Sequence, residues 1–346
     1  MEQSGAMEQR SIGRTGVAIS VIGFGGWVLG TSWYGRLSQE EGTRLVRTAL
    51  DHGITFLDTA NSYGEDGIGE SLLAAALDGV PRDRYVLGTK GGYDLKGERA
   101  HAHGERPQRW DGDFIRASVE DSLRRLRTDC VDVYELHNPR NDAIDSDECF
   151  AALEALRDAG KIRAYGVALG PAIGWEEEGV RALRERRVDV VQTVFNMLEQ
   201  HPGRRFLDEA RAVGSSVLAR VPHASGALEG RITRDTVFPP GDHRSFRNRQ
   251  MLLDLLDKAD ALRFLWEDGT RTVAQAALQY LIAQPGMAGV LPTMSEPAQV
   301  EEFTAAATLP PLTSEQLARV AELEARNFGV EDRYRASAAA PGTGRS

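Results

Sequence analysis

The sequence predicts an α/β fold in which eight strands and helices alternate to close a (β/α)8 TIM barrel. Three observations carry this. Eight short, β-branched apolar runs alternate with stretches of helical period, no domain break interrupts them, and polar residues collect where the runs end. Strands are expected at residues 21–23, 55–58, 86–89, 131–136, 164–167, 190–195, 216–219 and 289–291. Helical spacing falls between them at 39–51, 69–77, 113–126, 148–159, 175–186, 206–213 and 273–283, and after the last strand at 298–307. An open doubly wound sheet shares this alternation, but eight units in one domain favour the barrel. Runs that are apolar throughout suit strands covered on both faces. Ahead of them, residues 10–20 carry Gly13 and Gly16 about a turn and read as an N-terminal β-hairpin that closes one barrel end. A C-terminal helix is expected after the last unit. Residues 1–9 and 336–346 are expected as disordered tails, leaving 10–335 as a single domain.

Composition narrows the function. The 346 residues carry 51 acidic and 41 basic side chains, a net charge of −10, so no global basic field exists to hold nucleic acid or an anionic membrane. No segment approaches the ~18 apolar residues of a membrane span, and the N-terminus lacks a signal-peptide pattern. A cytoplasmic location is expected. Cys130 and Cys149 offer neither a disulfide framework nor zinc spacing, and read as small buried side chains.

One connection breaks the rhythm. Residues 220–252 contain Pro222, Gly226, Gly230, Pro239, Pro240 and Gly241, and a loop that long inside a domain is commonly functional. From Arg220 to Arg249 six arginines face three acids, Glu229, Asp235 and Asp242. That excess reads either as a solvated loop or as a clamp for an anionic cofactor.

The informative constellation is Asp58, Tyr63, Lys90 and His137. Asp58 ends the second strand, Lys90 the third and His137 the fourth, while Tyr63 lies five residues beyond Asp58. In a barrel of this kind all four face the mouth where chemistry occurs. Tyrosine, ordinarily near pKa 10, is a poor acid at neutral pH, but a nearby ammonium stabilises the phenolate and should lower that value. Tyr63 is therefore the candidate general acid, Lys90 its tuner, and Asp58 the group that holds Lys90. A neutral His137 would hydrogen-bond a substrate carbonyl oxygen. An acid that protonates an alkoxide needs a hydride from elsewhere, and nicotinamide is its ordinary carrier.

These residues resemble the aldo-keto reductase family from about Arg10 to Asn327. The likeness rests on Ile22-Gly23-Phe24-Gly25-Gly26-Trp27, residues 56–64, Thr89-Lys90-Gly91, residues 131–138, residues 160–167 and Gly241-Asp242-His243-Arg244-Ser245. The resemblance implies a barrel that binds extended NADP(H) or NAD(H) and interconverts carbonyls and alcohols through the four residues above. It also implies cofactor contacts from Gly26, Trp27, Gln192, Arg220, Pro222, Gly226, Leu228, Gly230, Ser295, Glu296, Gln299 and Glu302. A Rossmann reading of Gly23-Phe24-Gly25-Gly26-Trp27-Val28 fails, because Val28 stands at the third glycine and no partner acid follows.

The chain departs from its relatives at the cofactor. Ala168-Leu169 replaces a Ser-Asn pair that holds the carboxamide, leaving Gln192 as the remaining anchor. Arg220 stands where relatives stack a tyrosine on the ring; a guanidinium stacks too, but adds charge. Glu296 occupies a position that is often basic and grips a 2′-phosphate, and Phe303 replaces an adenine-reading asparagine. A carboxylate there suits the ribose diol of NAD. Alternatively, Glu296 points to solvent and Ser295 with Arg244 or Arg247 binds the phosphate of NADP.

Trp27, Trp33, Tyr34 and Trp110 follow the first and third strands and are expected to rim the mouth, Trp27, Trp33 and Trp110 as walls for an apolar or sugar-like carbonyl substrate. His101 and His103 lack a matching remote ligand, so no metal is expected. Two further readings keep the same residues: a nicotinamide-binding regulatory or scaffold subunit with little turnover, and a redox-neutral sugar or natural-product tailoring enzyme. Substrate, direction and oligomeric state are not legible.

Overall fold

The apolar runs pair edge to edge, all in parallel, in a computed structural model that describes residues 7–31, 37–99, 105–170, 175–239, 242–246 and 248–331. A hairpin of β1 (Gln9–Ser11) and β2 (Ala18–Ser20) precedes β3 (Phe24–Gly25), β4 (Phe56–Asp58), β5 (Val86–Gly91) and β6 (Val131–His137). Then come β7 (Ile162–Ala168), β8 (Val190–Val194), β9 (Ser216–Arg220) and β10 (Met287–Leu291), each bonded to its sequence neighbour. The ring closes at a parallel bridge between Ile22 and Val290, where the Gly23 N–H donates to Val290 O at 2.8 Å and the Val290 N–H to Val21 O at 2.9 Å. The first barrel strand was expected at 21–23. That segment instead makes the closing contact with β10, and β3 itself lies just beyond it.

The hairpin is a plug. Ile12, Val17 and Ile19 pack with Phe56, Val133, Ala164, Val190 and Leu218 in one buried cluster inside the barrel, so the mouth is left at the opposite end. It begins one residue earlier than expected, at Gln9, and Glu8 O accepts from the Val21 N–H. Outside the barrel, a larger core joins the strands to the helices.

Sequence sets the helix starts as well as their buried faces. Helix Gln39–Asp51 opens on a capping box in which Ser38 Oγ accepts from the Glu41 N–H and the Glu41 carboxylate from the Ser38 N–H; it buries Leu45, Val46, Ala49 and Leu50. The C-terminal helix, Ser314–Ala325, starts on a Thr313/Gln316 box. The long connection holds an unexpected helix, Arg249–Asp260, capped by Asn248. Its Leu252, Leu255, Leu256 and Ala259 have helical spacing, a signal masked by the Pro, Gly and Arg before it.

Along each strand, alternation sends every second side chain inward. On β6, Val133 belongs to the plugged layer, Glu135 lies above it and His137 reaches the mouth. Lys90 is the register partner of Glu135, and Asp58 of Gly88.

Trp33, Tyr34, His101, His103, Arg247 and the expected tail at 336–346 lie outside the described residues. Among the described residues, no group of His, Cys, Asp and Glu could hold a metal ion, and no helix is long and apolar enough to cross a membrane.

Candidate active site

Four of the expected residues converge at the C-terminal strand ends. Lys90 Nζ lies 2.6 Å from both oxygens of Asp58, donates to Thr59 O at 2.8 Å, and stands 5.3 Å from the centre of the Tyr63 ring. The His137 ring is 6.0 Å from Tyr63, edge to face. All four are buried, none more than 6% exposed. Trp27 packs edge-on against Tyr63 at 5.0 Å between ring centres.

Burial opposes the charge on Lys90, but Asp58, then Tyr63 and Glu135, outweigh it and hold the ammonium above its ordinary range. Burial likewise pushes His137 well below its usual value, and the cations Lys90 and Arg220 push the same way, so the imidazole is neutral. Its Nδ1 meets Ser62 Oγ at 3.1 Å. Tyr63 differs from expectation. Lys90 lowers its pKa as foreseen, yet burial acts more strongly and Asp58 adds to it, so the net direction in the unliganded site is upward. The phenol is thus held in its protonated form.

Sequence reasoning passed over Glu135. It is fully buried, 4.0 Å from Lys90 Nζ, and its Oε2 accepts from Gln192 Nε2 at 2.8 Å. Burial pushes its carboxyl up to about 8 against the pull of Lys90. The signal was present: a residue two before His137 on one strand must share its inward face. Tyr93, 5.1 Å from the His137 ring and bonded through its hydroxyl to Asn138 Nδ2, was also missed.

The expected cofactor residues fall into two groups. Near the four stand Gly26, whose N–H donates to Asp58 O at 2.7 Å, and Gln192, whose Nε2 also lies 3.3 Å from Asp58 Oδ1. Arg220 joins them, its Nη2 donating to Leu169 O beside the altered Ala168-Leu169 pair. After Arg220 the chain turns through positive φ at Val221 (56°), Ala224 (47°), Ser225 (59°) and Gly226 (98°). Left-handed backbone at a β-branched valine costs about 1–3 kcal/mol and concentrates at functional sites. Pro222 and Leu228 are buried in this turn, and Gly230 is exposed. Beyond it, a cavity of roughly 390 Å³ is lined by Ser225, Phe238, Arg244 and Leu252 among others.

The second group sits at the start of helix Pro297–Ala305. Gln299 Oε1 accepts from the Ser295 N–H at 2.8 Å and from its hydroxyl at 3.0 Å, while Glu296 pairs with Arg231. Among the described residues, the loop arginine that reaches this end is Arg231. Arg244 lies against Asp242 at 2.7 Å and over the Phe238 ring. Glu302 accepts from Thr272 Oγ1 at 2.6 Å and acts electrostatically on Arg231. Phe303 is buried beneath His223, with ring centres 4.6 Å apart. Trp110 was expected at the rim; it is instead 7% exposed, within the main core. Gly92 makes room for it, since a Cβ there would come 2.4 Å from the indole.

The chain is 29% identical to the aldo-keto reductase YhdN of Bacillus subtilis over 308 residues, covering 86% of this chain and 88% of that one. It is 29% identical to the NADH-specific methylglyoxal reductase of Escherichia coli over 311 residues, 87% of this chain and 93% of that one. The glycerol dehydrogenase AKR11B4 of Gluconobacter oxydans superposes with a TM-score of 0.77 at 28% identity, covering 95% of this chain and 97% of that one. A model described as the aldo/keto reductase family matches residues 21–325, and to that family, whose members are oxidoreductases using nicotinamide cofactors, this chain belongs.

Proposed function

We propose that the protein transfers hydride between a nicotinamide dinucleotide and an aldehyde, ketone or sugar-like carbonyl, with Tyr63 as the proton donor. The observation that carries this reading is the bidentate Lys90–Asp58 pair beneath the Tyr63 ring, with a neutral imidazole across the mouth. Tyr63 gives its phenolic proton to the oxygen of the carbonyl being reduced, and Lys90 stabilises the phenolate left behind. Asp58 keeps Lys90 charged and aimed. His137, neutral at working pH, hydrogen-bonds the same oxygen and orients the carbonyl. In alcohol oxidation the proton runs the other way.

The residues fit the cofactor. Among the described residues Arg220 Nε is buried without a hydrogen-bond partner and feels Asp58 and Glu135, the two acids at which the Gln192 amide points its N–H groups, leaving its carbonyl for a ligand. Gln192 and Arg220 would hold the nicotinamide end, the turn 221–230 the diphosphate, and Ser295 with Glu296 the adenosine ribose. A bound nicotinamide supplies the hydride, or takes it up in the reverse direction.

Label transfer tests the reading. Cofactor deuterated at C4 of the reduced ring should pass its deuterium to the carbinol carbon of the product from at least one of a panel of small aldehydes, ketones and aldoses. No turnover across the panel, or product without label, overturns it.

At the adenosine end the reading favours a cofactor without a 2′-phosphate. Glu296 accepts readily from ribose hydroxyls, and the arginine nearest it is already engaged. The Glu296 side chain is 46% exposed, so its repulsion of a phosphate is solvent-screened to about 1 kcal/mol, roughly fivefold in affinity. NADH should therefore bind more tightly than NADPH in a fluorescence titration, and Glu296→Arg should reverse the order. Tighter NADPH binding by the parent protein contradicts the assignment. The E. coli relative is named NADH-specific, which accords with it.

A further inference from the structure

Beyond its 4.0 Å approach to Lys90, Glu135 has no part in the scheme above, yet its carboxyl group is fully buried in the barrel interior. One oxygen, Oε1, is buried without any hydrogen-bond partner among the described residues; the other takes the N–H of Gln192 at 2.8 Å. A half-satisfied buried carboxyl group is a poor source of stability, because its unbonded oxygen carries a desolvation penalty that no hydrogen bond offsets.

The bonded oxygen meets Gln192. This side chain stands between two carboxylates, with Nε2 donating to Glu135 Oε2 and lying 3.3 Å from Asp58 Oδ1. Asp58, bound to Lys90 through both oxygens, offers only acceptors, and Glu135 Oε2 accepts here as well, so the amide NH2 faces the barrel interior and its carbonyl oxygen is turned away from them. Flipping it would set its carbonyl oxygen against Asp58 and lose both observed contacts. Asp58 alone holds the amide weakly at 3.3 Å and is already bound to Lys90 through both oxygens. The shorter bond is the one to Glu135.

We propose that Glu135 is a positioning residue that fixes Gln192 so that its carbonyl oxygen, an acceptor only, meets the amino group of the cofactor's carboxamide. This rests on the nicotinamide reading above. The site should then select for a carboxamide N–H donor at position 3 of the ring, a selectivity that matters more here because Ala168-Leu169 provides no side-chain hydrogen bond.

The test compares binding of NAD+ with that of its 3-acetylpyridine analogue, which keeps the carbonyl but has a methyl in place of the amino group. Affinities are read by titration calorimetry, without turnover. The parent protein should prefer NAD+ by about tenfold, the scale of one charge-assisted or well-formed hydrogen bond in a buried site. Glu135→Met should reduce the preference to about twofold or less, whereas Glu135→Gln, which can still offer an acceptor oxygen, should keep most of it. In a Gln192→Met background, where preference is also lost, adding Glu135→Met should change nothing further.

Equal preference in parent and Glu135→Met overturns the proposal while leaving the oxidoreductase reading intact; failure of the parent to bind either dinucleotide overturns both. Should Glu135→Met not fold, the parent itself decides. Its Gln192 side-chain amide protons, assigned by their loss in Gln192→Met, should exchange slowly with solvent, and rapid exchange contradicts the fixed orientation.

Discussion

Tyr63→Phe should lower kcat for carbonyl reduction by roughly 10²–10⁴-fold, the range that positioned general acids supply, while cofactor affinity stays close to that of the parent. The substitution removes one oxygen and keeps the ring, so the edge contact with Trp27 at 5.0 Å survives. The lost group is the proton donor. Its two described neighbours do not replace it: His137 is held neutral by burial and two cations, and Lys90 is held above its ordinary range by Asp58. Single-turnover kinetics with saturating cofactor would separate the chemical step from binding and release. Turnover in Tyr63→Phe within a few-fold of the parent would remove Tyr63 from the scheme.

Lys90→Met should be nearly as damaging to activity and far more damaging to stability. The ammonium is 1% exposed and bound to both Asp58 oxygens, so its removal strands a buried carboxylate; breaking such a pair costs about 3–5 kcal/mol. In a domain this large the melting temperature should fall by roughly 5–10 °C. Adding Asp58→Asn removes the stranded charge. The double variant should therefore recover most of the lost stability and none of the activity, because no cation remains to stabilise the Tyr63 phenolate. Recovery of both would mean that Lys90 serves the fold alone.

Much of this arrangement is legible in the sequence. Strand ends are marked by a change from β-branched runs to polar residues, and in a parallel barrel every such change faces one pole, which brought Asp58, Lys90 and His137 together from one-dimensional spacing. Helix Gln39–Asp51 was equally plain, because Ser38 and Glu41 state its start. What stayed hidden depends on neighbours rather than on period. Phe24–Gly25 forms the first barrel strand because residues 21–23 are drawn into the closure with Val290, a contact between the two extremes of the barrel.

Side-chain partners were the least legible. The sequence marks a basic loop, but only the fold pairs Arg231 with Glu296 and sets Arg244 against Asp242. Trp110 follows a strand end, as rim residues do, yet space beside Gly92 draws its indole into the core. The pKa of Tyr63 was misjudged in its net direction for a related reason. A sequence lists the cation that lowers it; the depth of burial that raises it more is a property of packing. Glu135 was overlooked because it lies mid-strand, where apolar residues were expected, although alternation from His137 places it inside.

The coupling of Lys90 to Tyr63 is tested most directly by the pH profile of kcat/KM for alcohol oxidation, in which Tyr63 must first lose its proton to act as base. In the parent the rate should rise with pH and level off at the Tyr63 ionisation. In the Lys90→Met/Asp58→Asn protein that plateau should move to higher pH, because burial still opposes the phenolate and the cation that opposed burial is gone. A plateau at the same pH in both proteins would contradict the account.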